Sequence, residues 1–421
     1  MSHVCEVDGV VAECEVEDFG KSAIATGICF LDHMVDQFTS HGQVGVRLRM
    51  RLPGAAEPCA PHVDYAANSA TARPHDGAIA AAAGGALGAA LRALATSYGA
   101  AAASRPRTFC CPLDEAYAEC VLDLAGAGCA IALAPFGTAT PGGRKWLGRL
   151  QTRHAPAFWE ALATALGCGV ALSRRRGANG HHVLESAFKA FARCYRKCLD
   201  AAAPPPPPPP VGIPRRGKRD RATKETRIAV ALCLDGGGGA TVETGVAAYD
   251  AVLRRLLGDG GVSGTVTVDG DTFIDDHHSV EDASIAVGQA LLDALGDRAG
   301  VARMASGEAT VGDHTVRAVV DLSNRPSLVA DLAFAEEYVG EVQDASAATL
   351  TAEMAHHAFE SLTVELRATV HLEVRSRAPA GNGLDLALAA AAAYGAAFRE
   401  AAAFDPRRKG AVASSKGTLS V

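Results

Sequence analysis

Hydrophobic and polar positions along this chain fall into two periods. RIAVALCLD (227–235) and VSGTVTVDG (262–270) alternate apolar with polar residues, which predicts strands with one buried face. VRAVVDLS (316–323) and TVHLEVRS (369–376) read the same way. VEDASIAVGQALLDALGD (280–297) instead carries its apolar residues at helical spacing. HHVLESAFKAFARCYRKCLD (181–200) predicts another helix, with basic residues toward its end, where the helix dipole favours them. The alanine run at 78–103 is interrupted by Gly84, Gly85, Gly88, Arg92 and Ser97, so it predicts a helix and loop, and no membrane span is expected. The order strands, helix, strands, helix places the chain in the α+β class.

That order occurs twice. TGICFLDHM (26–34) matches TGVAAYDAV (244–252), and AGGALGAALRAL (83–94) matches VGQALLDALGDR (287–298). Residues 113–126 align with 311–324, and 177–202 with 380–405. Between the copies stand seven consecutive prolines, 204–210, a semi-rigid spacer, followed by the basic segment VGIPRRGKRDR. The expected organisation is a first domain over 1–203, a solvated linker over 204–220 and a second domain over 221–421.

Composition narrows the class. The 421 residues carry a net charge of −7, which argues against a nucleic-acid footprint. Eleven of the 12 cysteines precede residue 200 and none forms a CxxC pair, so reduced, buried thiols are expected rather than a zinc site. The acidic start of the chain resembles neither a signal nor a transit peptide, and a cytoplasmic location is expected.

Two segments carry candidate chemistry. Asn179-Gly180-His181-His182-Val183-Leu184-Glu185 and Asp276-His277-His278-Ser279-Val280-Glu281 both open helices and both spell His-His-x-x-Glu. On a helix, positions four apart share a face, so the first His and the Glu can grip one ion while the second His reaches another. Imidazole with carboxylate suits Mn²⁺, Fe²⁺ or Zn²⁺. Asp114-Glu115 and His356-His357 are read as solvated, the latter for want of a glutamate at matching spacing.

These segments, with RATKETRIAV (221–230), FLDHMVDQFTSHG (30–42), LDEAYAECVLDL (113–124), DLSNRP (321–326), TVHLEV (369–374) and SSKGTL (414–419), resemble the imidazoleglycerol-phosphate dehydratase family in two fused copies. The resemblance implies two homologous domains, each an internal duplication of a sheet-plus-helices unit of the ribosomal protein S5 domain 2-like fold. It implies two Mn²⁺ ions per site and a large homo-oligomer. It also implies removal of water from imidazole glycerol phosphate to give imidazole acetol phosphate, in histidine biosynthesis. The implied ligands are His33, His181, Glu185 and His278 for one ion, and His277, Glu281, His371 and His182 for the other. The family's plant members work in plastids, which leaves that compartment as an alternative.

The departures from the family pattern are complementary. In the first copy the DDHH ligand positions fall on Arg73, Pro74 and Gly77, with His75 out of register, and Ala171 replaces the strand histidine. In the second copy Ala251 stands at the FLDH histidine, and Leu384, Asp385 and Leu388 replace the last motif. Each of eight ligand positions is thus filled once, as expected for a composite site built from both copies. The resemblance further implies Gln37, His41, Lys189, Arg303, Arg325, Ser414 and Lys416 as substrate contacts, the last four gripping phosphate. Glu225 is the expected proton-abstracting base, with Glu185 and Glu281 as lesser candidates because metal occupies them. No nucleic acid or membrane partner is expected. The alternative is a catalytically inactive, structural or regulatory relative.

Overall fold

The computed structural model describes residues 2–66, 73–100, 105–137, 143–202, 212, 214–340, 349–377, 382–408 and 410–414. The chain divides into two compact units, residues 1–206 with 414–416 and residues 207–413 with 417–421. The proline run itself and Lys416 lie outside the described residues.

The N-terminal unit contains β1 (His3–Val7), β2 (Val10–Asp18), β3 (Ala23–Ala25), α1 (Cys29–Gly42), β4 (Val44–Arg51) and α2 (Asp76–Ser97). It continues with β5 (Arg107–Leu113), β6 (Ala116–Asp123), β7 (Gly128–Ala132), β8 (Trp146–Leu147), β9 (Leu150–Gln151), α3 (Ala155–Leu166), β10 (Gly169–Arg176) and α4 (Gly180–Ala202). The C-terminal unit repeats the plan with β11 (Arg216–Ala222), β12 (Thr226–Cys233), β13 (Gly239–Glu243), α5 (Ala247–Asp259), β14 (Ser263–Gly270) and α6 (His277–Leu295). Its second half is β15 (Met304–Val311), β16 (His314–Asp321), β17 (Ser327–Ala330), α7 (Ala352–Leu366), β18 (Thr369–Ser376) and α8 (Gly383–Ala402).

Four sheets share one strand order: β1-β2-β4-β3, β5-β6-β10-β7, β11-β12-β14-β13 and β15-β16-β18-β17. In each, the last two strands are parallel and a helix lies between them in the chain (α1, α3, α5 and α7). Parallel pairing requires such a crossover. Each unit is therefore an internal duplication, and the α+β expectation holds. Helices of the two halves meet within a unit: α1 packs on α4 and α2 on α3, and likewise α5 on α8 and α6 on α7.

The helix contacts explain the glycine and alanine content. A Cβ on Gly88 of α2 would fall inside contact distance of the Leu162 carbonyl oxygen on α3. A Cβ on Gly288 of α6 would lie 2.6 Å from the Leu362 oxygen on α7. Only a residue without a side chain lets these backbones approach so closely. Gly288→Val is expected to cost about 1–3 kcal/mol through overpacking, read as a lowered melting temperature. Helix α2 is long and apolar enough to cross a membrane, but 72% of that apolar window is buried inside its own unit. Its composition follows from packing on β1 and β2 on one side and on α3 on the other.

The two units also fix the register of the repeat. Gly88 with Leu162 corresponds to Gly288 with Leu362. Asp76 accepts from Gln151 Nε2 at 3.0 Å, and Asp276 accepts from the Thr351 N–H at 2.7 Å. This differs by four residues from the alignment of 83–94 with 287–298. His277, His278 and Glu281 thus correspond in the repeat to Gly77, Ala78 and Ala81, not to Arg73, Pro74 and Gly77. The alanine-rich sequence of α2 matches α6 almost equally well in either register, and only the packing separates them. The N-terminal unit still lacks these ligands. The ring of His154 stands about where a side chain on Gly77 would begin, 3.1 Å from its Cβ position.

The expected linker is shorter than 204–220. Residues 216–222 form strand β11, paired antiparallel with β12 from Arg216↔Cys233 to Ala222↔Arg227. Its basic side chains answer acids on α6: Arg221 pairs with Asp282 at 2.8 Å, and Arg219 with Asp293. An edge strand carrying exposed charges reads from sequence as a linker, because its apolar face is almost absent. All twelve cysteines are free, as expected.

Candidate metal centre

In the N-terminal unit, helix α4 begins at Asn179, whose side-chain oxygen accepts the His181 N–H at 3.0 Å. This cap sets the first turn and so the directions of the two histidines. His181 Nε2 lies 2.9 Å from Glu185 Oε2, one turn along the helix. His33, on α1, approaches the same oxygen through its Nε2 at 3.4 Å. Lys189 Nζ pairs with the other carboxylate oxygen at 2.6 Å. One ligand atom from each of His33, His181 and Glu185 lies within 4.8 Å of the others, a three-donor group able to hold a metal ion. Burial alone would raise the Glu185 pKa, but hydrogen bonds from His181 and His33 and the charge of Lys189 outweigh it and hold the carboxylate far below its usual range. Two imidazoles and an obligately ionised carboxylate suit a divalent transition metal.

His182 points elsewhere, its ring 6.2 Å from that of His181 and nearly perpendicular to it. Its Nδ1 meets Glu115 Oε2 at 2.7 Å, and Glu115 also accepts the Asn179 N–H. Asp114 stands 3.8 Å from His182 Nε2. The pair expected to be merely solvated therefore braces a candidate ligand, as carboxylates commonly do beside metal-binding histidines. The signal in the sequence was partial: the second copy has Gly312 where Asp114 stands and Asp385 where His182 stands, but Asp313 keeps a carboxylate at the Glu115 position.

In the C-terminal unit, His277 Nε2 lies 3.3 Å from Glu281 Oε2, the same one-turn spacing. His278 turns away, and its Nδ1 meets Asp271 Oδ2 at 3.0 Å. That hydrogen bond raises the His278 pKa, and the charges of Asp271, Glu225 and Asp282 add to it. His371 is fully buried on β18, opposite Val319 of β16 and Val329 of β17. Among the described residues, no three-donor group joins it to His277 and Glu281. The imidazole that does reach Glu281 is His357 of α7, Nε2 to Oε1 at 2.9 Å. His357 is thus not simply solvated, and a glutamate does stand at helical spacing: Glu360, 3.6 Å from its Nδ1.

The expected substrate residues divide. Gln37 and His41 are buried in α1, and Gln37 Nε2 lies 3.4 Å from His33 Nδ1, so Gln37 supports a candidate ligand. Lys189 is committed to Glu185. Arg303 is buried and forks onto Asp321 (Nε to Oδ1 2.6 Å, Nη2 to Oδ2 2.9 Å), while its Nη1 donates to the Ala413 carbonyl at 2.6 Å. In this arrangement its guanidinium is engaged by the protein. Ser414 follows directly and is half-buried. The Arg325 carbonyl accepts from Ser323 and Thr369, which fixes that loop. Glu225 is exposed in the turn between β11 and β12.

The folded helix starts survive where the ligands do not. Asn382 caps α8 through Leu384 N–H at 2.9 Å, as Asn179 caps α4. Yet Leu384, Asp385 and Leu388 stand there in place of His181, His182 and Glu185, and Ala251 in place of His33.

The family model for imidazoleglycerol-phosphate dehydratase matches residues 75–195 and 244–398. A protein of that name from Salinispora tropica is 41% identical over 208 residues, covering 49% of this chain and 99% of the relative. The chloroplastic imidazoleglycerol-phosphate dehydratase 3 of Triticum aestivum is 39% identical over 207 residues, 49% of this chain and 72% of the relative. The solved imidazoleglycerol-phosphate dehydratase of Staphylococcus aureus is 24% identical, with a TM-score of 0.39, covering 45% of this chain and 99% of that one.

Proposed function

Because the chain belongs to the imidazoleglycerol-phosphate dehydratase family, and is a hydro-lyase of histidine biosynthesis, we propose that its two copies together build one Mn²⁺-dependent active site. The observation that carries this reading is the division of donors. The N-terminal unit holds His33, His181 and Glu185 as a three-donor group, and the C-terminal unit has Ala251, Leu384 and Leu388 at those positions. The C-terminal unit holds His277, His278 and Glu281, and the N-terminal unit has Gly77, Ala78 and Ala81; His371, buried in its sheet, is not counted among these donors. Independent decay of two enzymes would leave some positions lost twice and some kept twice.

Bound to these donors, divalent ions would supply Lewis-acid stabilisation of negative charge on the substrate ring. The protein's own part is proton removal and orientation. Dehydration takes a proton from one carbon and hydroxide from its neighbour. Glu185 is a poor base, since its hydrogen bonds and Lys189 hold it ionised and saturated. Glu281 is shared between His277 and His357. Glu225 is exposed and close enough to His278 for its charge to be felt there. It is the proposed general base. Glu225→Gln is expected to lower kcat by about 10²–10⁴-fold, with bound metal unchanged when measured by mass spectrometry.

Complementation of a dehydratase-deficient histidine auxotroph tests the composite site. The full chain is expected to rescue growth and each half alone to fail. Rescue by either half alone overturns the proposal.

A further inference from the structure

We propose that the N-terminal unit carries a second ligand site, separate from its metal donors: a pocket beside the β8–β9 hairpin that takes a small phosphate monoester joined to a flat heteroaromatic ring. The pocket has a volume of about 500 Å³, within the range of small-molecule sites. Leu133, Phe136 and Trp146 give it apolar walls, and Arg144, Lys145 and Arg153 give it cations. None of the residues lining it belongs to the group formed by His33, His181 and Glu185. Leu147 packs toward the start of α4, its Cδ2 3.0 Å from where a Cβ on Gly180 would stand. Successive strand residues face opposite sides, so Trp146 turns away from α4 and into the pocket.

The backbone that carries these charges is fixed. Thr152 donates its N–H to the Lys145 carbonyl at 3.0 Å and its hydroxyl to the Arg144 carbonyl at 2.9 Å. Arg174 ties down the opposite wall, its Nη1 donating to the Pro135 carbonyl at 2.5 Å. The side chains of Arg144, Lys145 and Arg153 are exposed, and among the described residues no carboxylate pairs with any of them. Arg153 spends its Nε on His154, at 3.2 Å. Cations of one sign around one mouth attract an anion, and arginine binds phosphate through paired N–H groups. Trp146 is half-buried and offers a flat face on which a ring can stack.

The C-terminal unit shows that the basic rim is not a requirement of the fold. Gly148 and Gly340 both have a positive φ, 55° and 99°. A Cβ on either would meet the same position of a helix, Phe30 of α1 or Ala248 of α5. That register puts Glu336 and Glu337 where Arg144 and Lys145 stand, and the correspondence of Leu162 with Leu362 puts Glu353 at Arg153. All three glutamates are exposed. The same rim is cationic in one copy and anionic in the other. An acidic rim repels phosphate, so the ligand is expected on the N-terminal unit alone, one per chain.

Two sources share this chemistry: a nucleoside monophosphate and the phosphorylated imidazole of the dehydration itself. The full, Mn²⁺-loaded chain is mixed in a stopped-flow instrument with AMP or with imidazole glycerol phosphate, and tryptophan emission is read before turnover accumulates. Of the two tryptophans, Trp159 is fully buried in α3, so a change in emission reports Trp146. A saturable change is expected with at least one of the monoesters, and the tighter of the two identifies the source. Adenosine and inorganic phosphate, each lacking one half of the ligand, are expected to bind at least about tenfold more weakly. Arg144→Glu combined with Lys145→Glu is expected to weaken the monoester at least about tenfold, with the melting temperature and metal content of wild type. No saturable change with either monoester at millimolar concentration overturns the proposal. Wild-type affinity in the charge-reversed variant overturns it too, by placing the ligand elsewhere. So does adenosine or inorganic phosphate binding as tightly as the monoesters.

Discussion

His33→Ala is expected to lower kcat/KM by about 10³-fold or more while leaving the melting temperature nearly unchanged. His33 is one of three donors in the N-terminal group, and its side chain is 42% exposed. Truncating it opens no cavity, and substitutions of that kind typically change stability by less than about 0.5 kcal/mol. Lewis-acid stabilisation by a bound ion is worth several kcal/mol, and each ~1.4 kcal/mol is tenfold in rate. Glu185→Ala provides the contrast. It removes a donor and also strands Lys189, whose buried ammonium sits 2.6 Å from the carboxylate. Breaking a buried pair from one side costs about 3–5 kcal/mol, so this variant should lose both activity and heat resistance. Steady-state kinetics, metal analysis and thermal melting on both variants check the pair. A His33→Ala enzyme with more than a tenth of wild-type kcat/KM would remove His33 from the ligand set.

The sequence was most legible where spacing alone dictates geometry. A His and a Glu four apart on a helix must share a face, and His181–Glu185 and His277–Glu281 do so. The strands of alternating residues and the internal repeat were legible for the same reason. What remained hidden depends on contacts between elements distant in the chain. His357 reaches Glu281 across 76 residues, and Glu115 reaches His182 across 67. Neither is visible in local spacing. The register of α2 was lost because alanine and glycine repeat too uniformly to mark a position. Strand β11 was hidden because its partners for Arg219 and Arg221 lie on α6.

The proposed division of ligands is compatible with an unchanged fold because different residues do the two jobs. Asn179 and Asn382 make equivalent caps, and Gly88 and Gly288 make equivalent helix contacts, in units whose donors are complementary. The histidines His33, His181, His277 and His278 are half-exposed near helix starts and contribute little to packing. Either copy could lose them without losing its core, provided the other copy kept them.

Asp321→Ala is expected to destabilise the C-terminal unit by about 3–5 kcal/mol, the largest stability effect of a single change outside the metal centre. Asp321 ends β16 and is 1% exposed. Both its oxygens receive the Arg303 fork, a paired geometry stronger than a single ionic contact. Its charge also supports Arg298, whose pKa burial pulls down to about 10. Removing Asp321 leaves the buried Arg303 guanidinium without its carboxylate and takes a favourable charge from the neighbourhood of Arg298. For a unit of this size the cost corresponds to a melting shift of roughly 6–20 °C. Replacing both partners, as in Arg303→Met with Asp321→Leu, should recover most of that loss, because an apolar pair of similar volume carries no desolvation penalty. The double variant also separates structure from catalysis. If it melts near wild type and its KM for the phosphorylated substrate is unchanged, Arg303 is a structural arginine. If KM rises at least tenfold while the fold is intact, Arg303 exchanges Asp321 for the substrate phosphate on binding. An Asp321→Ala chain that melts within a degree of wild type would show that the buried pair contributes nothing to the unit.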